Sequence, residues 1–187
     1  MNAILFRDLL MNMLLGLVAL VIIALPSINP PAVDAQGAKQ PGQMVITAAW
    51  PEGPTDVDLW VNGPGEPVAV GYSNRDGKLF NLLRDDLGRD GDALPLNYEN
   101  VYSRGLPAGE YTVNLHAYSG EYPVPVAMEI RFGAVGDQPR LFLKKTVTLV
   151  AKGQEVTVVS FRLDAQGQVV PGSVNNVYRP LRVAKNP

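Results

Sequence analysis

Carboxylates are the side chains of this sequence best placed to do chemistry, and they form two groups. The first is a single residue, Asp8, which directly precedes the uncharged apolar run Leu9–Leu25. The second is an acidic group in the middle of the chain, with members Asp56, Asp58, Asp85, Asp86 and Glu99. A carboxylate in a membrane segment is suited to carrying protons, whereas clustered carboxylates are suited to binding hard cations such as calcium.

The remaining composition excludes several classes of protein. The 187 residues include no cysteine and one histidine, His116. Disulfide frameworks, thiolate catalysis and zinc sites built from Cys and His are therefore excluded. The 16 basic residues nearly balance the 18 acidic ones, so a basic surface for nucleic acid is not expected. We expect a protein that is not an enzyme and does not bind nucleic acid.

The apolar run predicts a transmembrane helix over residues 4–25. Leu9–Leu25 alone would cover only about 26 Å of a hydrocarbon core that is about 30 Å thick. Including Ile4–Phe6 extends the helix to about 33 Å, and Pro26 is expected to end it. Because Asp8 offsets Arg7 and the nearest small-residue cleavage pattern lies well beyond the run, an uncleaved anchor is favoured over a signal peptide.

Asp8 begins a polar stripe along this predicted helix. It is followed by Asn12, Gly16 and Ala19 at i+4, i+8 and i+11, which places all four on one face. Small and hydrogen-bonding residues on one face are how membrane helices pack against each other. We expect Asp8 to carry protons and the other three to form a packing surface or a proton path. A solvated Asp8 at the membrane interface, beside Arg7, is the alternative.

This N-terminal region, with Asp8 followed by Leu9–Leu15, resembles the ExbD/TolR and MotB subunits of proton-driven membrane motors. The resemblance covers about the first 30 residues and implies that Asp8 is the proton-carrying group. It also implies a homodimer of the helix inside a ring of polytopic subunits of the ExbB/TolQ/MotA kind. On this basis, with the weak positive-inside bias, we expect residues 1–3 to be cytoplasmic and residues 44–187 to form a domain in the periplasm of a bacterium, where its envelope partner is unknown.

The chain after the helix is predicted to be a linker followed by one β-domain. Residues 26–43 are rich in Pro, Gly and Ala and read as a linker. Residues 44–187 contain short runs with period-two alternation, which predict a mainly antiparallel β-sandwich of about eight strands, Ig-like or jelly-roll-like. The predicted strands are Met44–Trp50, Val57–Val61, Val68–Tyr72, Tyr111–Tyr118, Val126–Phe132, Leu141–Val150, Glu155–Leu163 and Val174–Val183.

A second resemblance supports this fold. Residues 50–118 are similar to a bacterial β-sandwich domain of poorly assigned function, whose pattern combines a Trp, a D-x-D-L-x-V strand, a glycine-containing hairpin, an acidic loop and a G-x-Y-x-V strand. The matching residues are Trp50, Asp56–Val61, Pro64–Gly65, Arg84–Gly88, Glu99 and Gly109–Val113. The resemblance implies a secreted or surface-attached sandwich and no particular activity.

The acidic group leaves three interpretations open. Asp56 and Asp58 are two apart and share a strand face, and the acids that could converge on them are Asp85, Asp86, Asp90, Asp92 and Glu99. A calcium site held by Asp56, Asp58, Asp85, Asp86 and Glu99 is one interpretation. Solvated turns with local ion pairs are the second, and a paired-carboxylate glycosidase is the least favoured. His116 is expected to be a hydrogen-bonding residue at the surface or in a groove.

Two functions remain after these exclusions. One is a subunit of a proton-driven motor, in which Asp8 carries protons and the β-domain docks to an envelope partner. The other is a passive membrane-tethered β-sandwich that binds a protein or a glycan, with or without calcium. The polar stripe favours the motor, because a simple tether needs neither Asp8 nor Asn12.

Overall fold

The structure, a computed structural model, describes residues 2–28, 43–88, 96–133 and 139–182. It divides the chain into two compact units, Met1–Gln40 and Pro41–Pro187. Most of the predicted linker, residues 29–42, lies outside the described residues. The first unit contains one helix and the second contains all the strands.

The helix, α1, spans Asn2–Ile28 and is continuous across Arg7 and Asp8. Residues 3–24 are long and apolar enough to cross a membrane, and their side chains are exposed. The helix runs two residues beyond Pro26, so the expectation that this proline ends it is wrong. A proline in the last turn disturbs only the carbonyl four residues before it, which a helix end tolerates better than its centre.

The second unit is a sandwich of two antiparallel sheets. Its strands are β1 (Met44–Trp50), β2 (Asp56–Asn62), β3 (Phe80–Arg84), β4 (Asn97–Ser103), β5 (Gly109–Ser119), β6 (Val124–Phe132), β7 (Arg140–Leu149) and β8 (Glu155–Leu163). One sheet has the order β3-β4-β1-β6-β7 and the other has the order β2-β5-β8. The prediction of a mainly antiparallel β-sandwich is confirmed.

The core lies between the two sheets and follows from the alternation of apolar residues. β1 and β4 bury every second residue, starting with the first. On β2, Leu59 points into the core and pairs in register with Leu115 on β5. Aromatic rings fill one end, where Tyr111 stacks on Phe161 with ring centroids 5.2 Å apart. This burial is the main source of the sandwich's stability.

Two of the predicted strands are wrong, and two real strands were not predicted. Residues 68–72 form only isolated bridges, one of them between Val61 and Val70, and residues 174–182 bridge the sheet only at Asn175. β3 and β4 were missed. The reason is clearest in β4, whose inward positions include polar residues such as Asn97 and Glu99, so its hydrophobic alternation is weak.

The C-terminal segment, residues 173–182, packs on polar side chains of β5 and β8. The Arg179 amide donates to the Thr157 hydroxyl at 2.9 Å, and its carbonyl accepts from Asn114 at 2.7 Å. The Leu181 amide donates to Glu155 at 2.9 Å. These bonds explain why polar residues on this face are buried, and they bring Arg182 to His116.

Candidate metal centre

The acidic group gathers at the free edge of β2. This strand pairs with β5 along one side, and its other edge is bridged by Val70 at Val61 but otherwise faces β4 of the opposite sheet. Asp58 lies on the outward-facing side of β2, Glu99 points inward from β4, and Asp85 directly follows β3. The Leu59 amide on this edge donates to Glu99 Oε2 at 2.7 Å. The site is therefore positioned by strands of both sheets.

Three carboxylates form the centre of the group. One oxygen each of Asp58, Asp85 and Glu99 lie within 4.8 Å of one another. Calcium binds oxygen at about 2.3–2.6 Å, so oxygens sharing one ion can be up to about 5 Å apart. We define these three residues as the carboxylate cluster. Its dimensions fit a single calcium ion.

The cluster is largely removed from water. Glu99 is 0% exposed and Asp58 is 2% exposed, while the Asp85 side chain keeps 20% of its surface accessible. Glu99 Oε1 and Asp85 Oδ1 are buried and accept no hydrogen bond from the described residues. Burial raises the pKa of Glu99 well above its usual range, and the charges of Asp58 and Asp85 raise it further, against the lowering effect of the Leu59 amide.

Asp56 is a fourth buried carboxylate beside the cluster. It is 4% exposed, and its Oδ1 also accepts no hydrogen bond within the described ranges. Burial raises the pKa of Asp56 to about 7, with further contributions from the negative charges of Asp58, Asp85 and Asp86. Several acids that disfavour each other's ionisation indicate a site with an excess of negative charge.

Two neighbouring side chains, His116 and Arg75, contact the cluster. His116 Nδ1 lies 2.7 Å from Asp58 Oδ2, and His116 Nε2 faces Arg182 Nη1. An arginine can only donate, so Nε2 accepts and the ring proton is assigned to Nδ1, which donates to Asp58. Arg75 Nη1 lies 3.9 Å from Asp85 Oδ2. Both ring nitrogens make hydrogen bonds, so the expected hydrogen-bonding role of His116 is confirmed, and at 2% exposure the residue does not lie at the surface.

Asp86 differs from the other predicted ligands because its carboxylate is occupied by donors from the protein. Oδ1 accepts from the Gly88 amide at 3.0 Å, and Oδ2 accepts from the Tyr98 amide at 3.0 Å and from Arg84 at 2.9 Å. The contact with Arg84 matches the expected local ion pair, but Asp86 is 2% exposed, so the expected solvated turn is wrong for this residue. Asp90 and Asp92 lie outside the described residues.

The sequence prediction named the three cluster residues and Asp56, but missed the supporting contacts. His116 stands opposite Asp58 only through the pairing of β2 with β5. Arg182 reaches the ring through the path of the C-terminal segment. The available signal was that Asp58 and His116 each lie inside a predicted strand with an apolar residue on either side.

The N-terminal polar stripe lies on one continuous helix. Asp8, Asn12, Gly16 and Ala19 all belong to α1, and each is exposed. A Cβ placed on Gly16 would meet no atom within 4 Å. The predicted roles of the stripe in proton transfer and helix packing therefore stay predictions.

The carboxylate cluster can hold a proton or a cation, but it is poorly placed for turnover. Two of its three side chains are at most 2% exposed, so a substrate the size of a sugar has little access.

Comparisons with protein-family models, curated proteins and solved structures give no match to this chain. Both family resemblances therefore stay predictions.

Proposed function

We propose that this chain is a single-pass membrane protein whose β-sandwich is an exported binding module. The observation that carries this proposal is the contrast between the two units. Residues 3–24 of α1 expose apolar side chains along their whole length, whereas the sandwich buries an apolar core of its own. A helix whose exposed side chains are mostly apolar is suited to lipid, whereas a sandwich with a core of its own is suited to water.

Binding is favoured over catalysis because of where the ionisable groups lie. The only histidine is held between Asp58 and Arg182, so neither ring nitrogen is available to a substrate. The carboxylate cluster is mostly buried. General acid and base catalysis needs a group within hydrogen-bond reach of a bound substrate. We therefore assign the sandwich a binding role toward an envelope component in the bacterial periplasm.

The topology can be tested with single cysteines, because the chain contains none. Asn2→Cys marks the start of the helix, and Ser73→Cys marks an exposed turn of the sandwich. In spheroplasts, we expect a membrane-impermeant maleimide to label Ser73→Cys and to label Asn2→Cys only after detergent is added. Release of the chain from membranes at alkaline pH, or protection of Ser73→Cys, would contradict the proposal.

A subunit of a proton-driven motor is the second candidate. It is favoured by the continuity of α1 across Asp8, which puts this carboxylate in the candidate span rather than in a separate leader. A carboxylate in a membrane helix is costly and is usually retained for a partner or an ion path. Purification in mild detergent distinguishes the candidates. A stoichiometric polytopic partner with two copies of this chain supports the motor, and a chain without one supports the simple tether.

A further inference from the structure

We propose that Asp58, Asp85 and Glu99 form a calcium site that ties the two sheets of the sandwich together, with Asp56 as the adjacent fourth carboxylate. The proposal concerns the sandwich alone and does not depend on the membrane topology. It assigns a ligand to a cluster whose members come from β2, β4 and the residue after β3.

The first argument is the number of acceptors facing each other. Ionised carboxylates carry no hydrogen-bond donor, so oxygens within 4.8 Å of each other need a positive centre between them. Glu99 Oε1 and Asp85 Oδ1 receive no hydrogen bond from any residue that the structure describes. A buried carboxylate oxygen without a partner is costly. A bound cation removes this cost for both residues at once.

The second argument is that the nearby cationic side chains do not fill this role. Arg75 approaches only Asp85 Oδ2, at 3.9 Å, and its side chain is 47% exposed. Arg84 donates a hydrogen bond to Asp86 Oδ2 at 2.9 Å. His116 donates its one assigned ring proton to Asp58 Oδ2, so it provides no hydrogen bond to Glu99 Oε1 or Asp85 Oδ1. Among the residues that the structure describes, these cationic side chains therefore leave Glu99 Oε1 and Asp85 Oδ1 without a partner.

The choice of calcium follows from the donor atoms. All of the candidate ligands are carboxylate oxygens, and hard cations prefer these. Zinc is disfavoured because both nitrogens of His116 are turned to Asp58 and Arg182. Calcium accepts irregular geometry and bidentate carboxylates, whereas magnesium demands near-octahedral geometry and usually keeps several waters, so calcium matches three clustered carboxylates better.

A shared proton is the competing explanation. Glu99 with its raised pKa could keep a proton and donate it to Asp85. The two explanations differ in their response to added calcium at alkaline pH. A proton-sharing cluster loses its proton there and gains nothing from the ion, whereas a calcium site binds more tightly as its ligands lose protons.

The test uses the full-length chain in detergent, stripped with a chelator and then titrated with calcium or magnesium at pH 8. We expect heat of binding, a rise in Tm with calcium, and a requirement for at least tenfold more magnesium to give the same rise. Glu99→Gln and Asp85→Asn should each weaken calcium binding at least tenfold. Asp164→Asn is the control, because this acid only caps a remote turn, where its Oδ1 accepts from the amides of Gln166 and Gln168.

The variants also separate loss of the site from loss of the fold. Glutamine keeps an oxygen for the Leu59 amide, so Glu99→Gln should unfold in chelator at the Tm of the wild type or above it. Equal calcium affinity in Glu99→Gln and the wild type would overturn the proposal. A wild-type Tm that does not change with millimolar calcium at pH 8 would overturn it too, in favour of the shared proton.

Discussion

Glu99 on β4 accepts a hydrogen bond of 2.7 Å from the backbone amide of Leu59 on β2. This hydrogen bond joins the two sheets, because β4 and β2 belong to different sheets. Leu59 lies on the free edge of β2, where an unpaired amide would otherwise need water or another chain. A fully buried acid thus accepts a hydrogen bond at a strand edge and also lies in the carboxylate cluster with Asp58 and Asp85. The same residue serves the fold and the candidate metal centre.

The first prediction concerns the structural half of this role. Glu99→Ala removes the acceptor of the Leu59 amide and leaves a cavity, so it should lower the free energy of unfolding by about 1–3 kcal/mol. Urea unfolding at pH 5 in chelator is the suitable measurement, because the raised pKa of Glu99 keeps its charge from masking the effect. Glu52→Ala, at an exposed position, is the control and should change stability by less than about 0.5 kcal/mol. Equal losses in the two variants would contradict the assigned role.

The second prediction concerns pH in the absence of metal. The folded state raises the pKa of Asp56 from 3.8 to about 7 and raises that of Glu99 above 4.5. Folded protein therefore holds protons that unfolded protein has released, so stability should be greatest near pH 4 and should fall as the pH rises to about 7. Tm measured in chelator from pH 4 to 8 checks this. Asp56→Asn should flatten the decline, and a Tm that rises over this range in the wild type would contradict the prediction.

The third prediction concerns Gly120, which follows β5 and lies against Pro54 and Thr55, the residues before β2. Gly120 has φ +104°, and a Cβ there would lie 2.3 Å from the Thr55 Cα. Gly120→Ala should therefore destabilise the sandwich by more than about 2 kcal/mol, through backbone strain and overpacking together. Gly153→Ala is the matched control, since Gly153 has φ +79° but no atom within 4 Å of an added Cβ. Its cost should be about 1 kcal/mol. Urea unfolding of both variants measures the difference, and equal costs would contradict the steric explanation.

The fold was largely predictable because most strands bury one apolar face. β1 and β8 follow from β-rich, largely apolar runs bounded by turn residues. β4 does not follow in this way, because Asn97 and Glu99 occupy two of its inward positions. A hydrophobicity pattern assigns a segment with such polar residues to a loop. Conversely, Val68 to Tyr72 has the composition of a strand, yet it makes only bridges to Val61 and Asn74. Tertiary pairing decides such cases, and local propensity does not.

The candidate site was predictable in its members but not in its geometry. The spacing of Asp56 and Asp58 is local, so the sequence alone indicates that they share a strand face. The approach of Glu99 to Leu59 depends on how the two sheets pack, over 40 residues of separation. The contact of His116 with Arg182 depends on the path of the C-terminal segment, which has no regular periodicity. Long-range contacts of single polar residues leave little trace in a sequence.

The fourth prediction tests the motor hypothesis at Asp8. Asp8→Asn keeps the size and hydrogen-bonding capacity of the side chain but removes the carboxylic proton, so a proton-driven output should be lost. Asp8→Glu keeps the carboxyl group one methylene further out and should retain part of the output. The measurement compares both variants with the wild type in the native host, alongside detergent purification that reports whether a polytopic partner still copurifies. Loss of output with assembly intact in Asp8→Asn is the expected result. If Asp8→Asn assembles and performs like the wild type, Asp8 carries no proton, and the passive tether is the better description of α1.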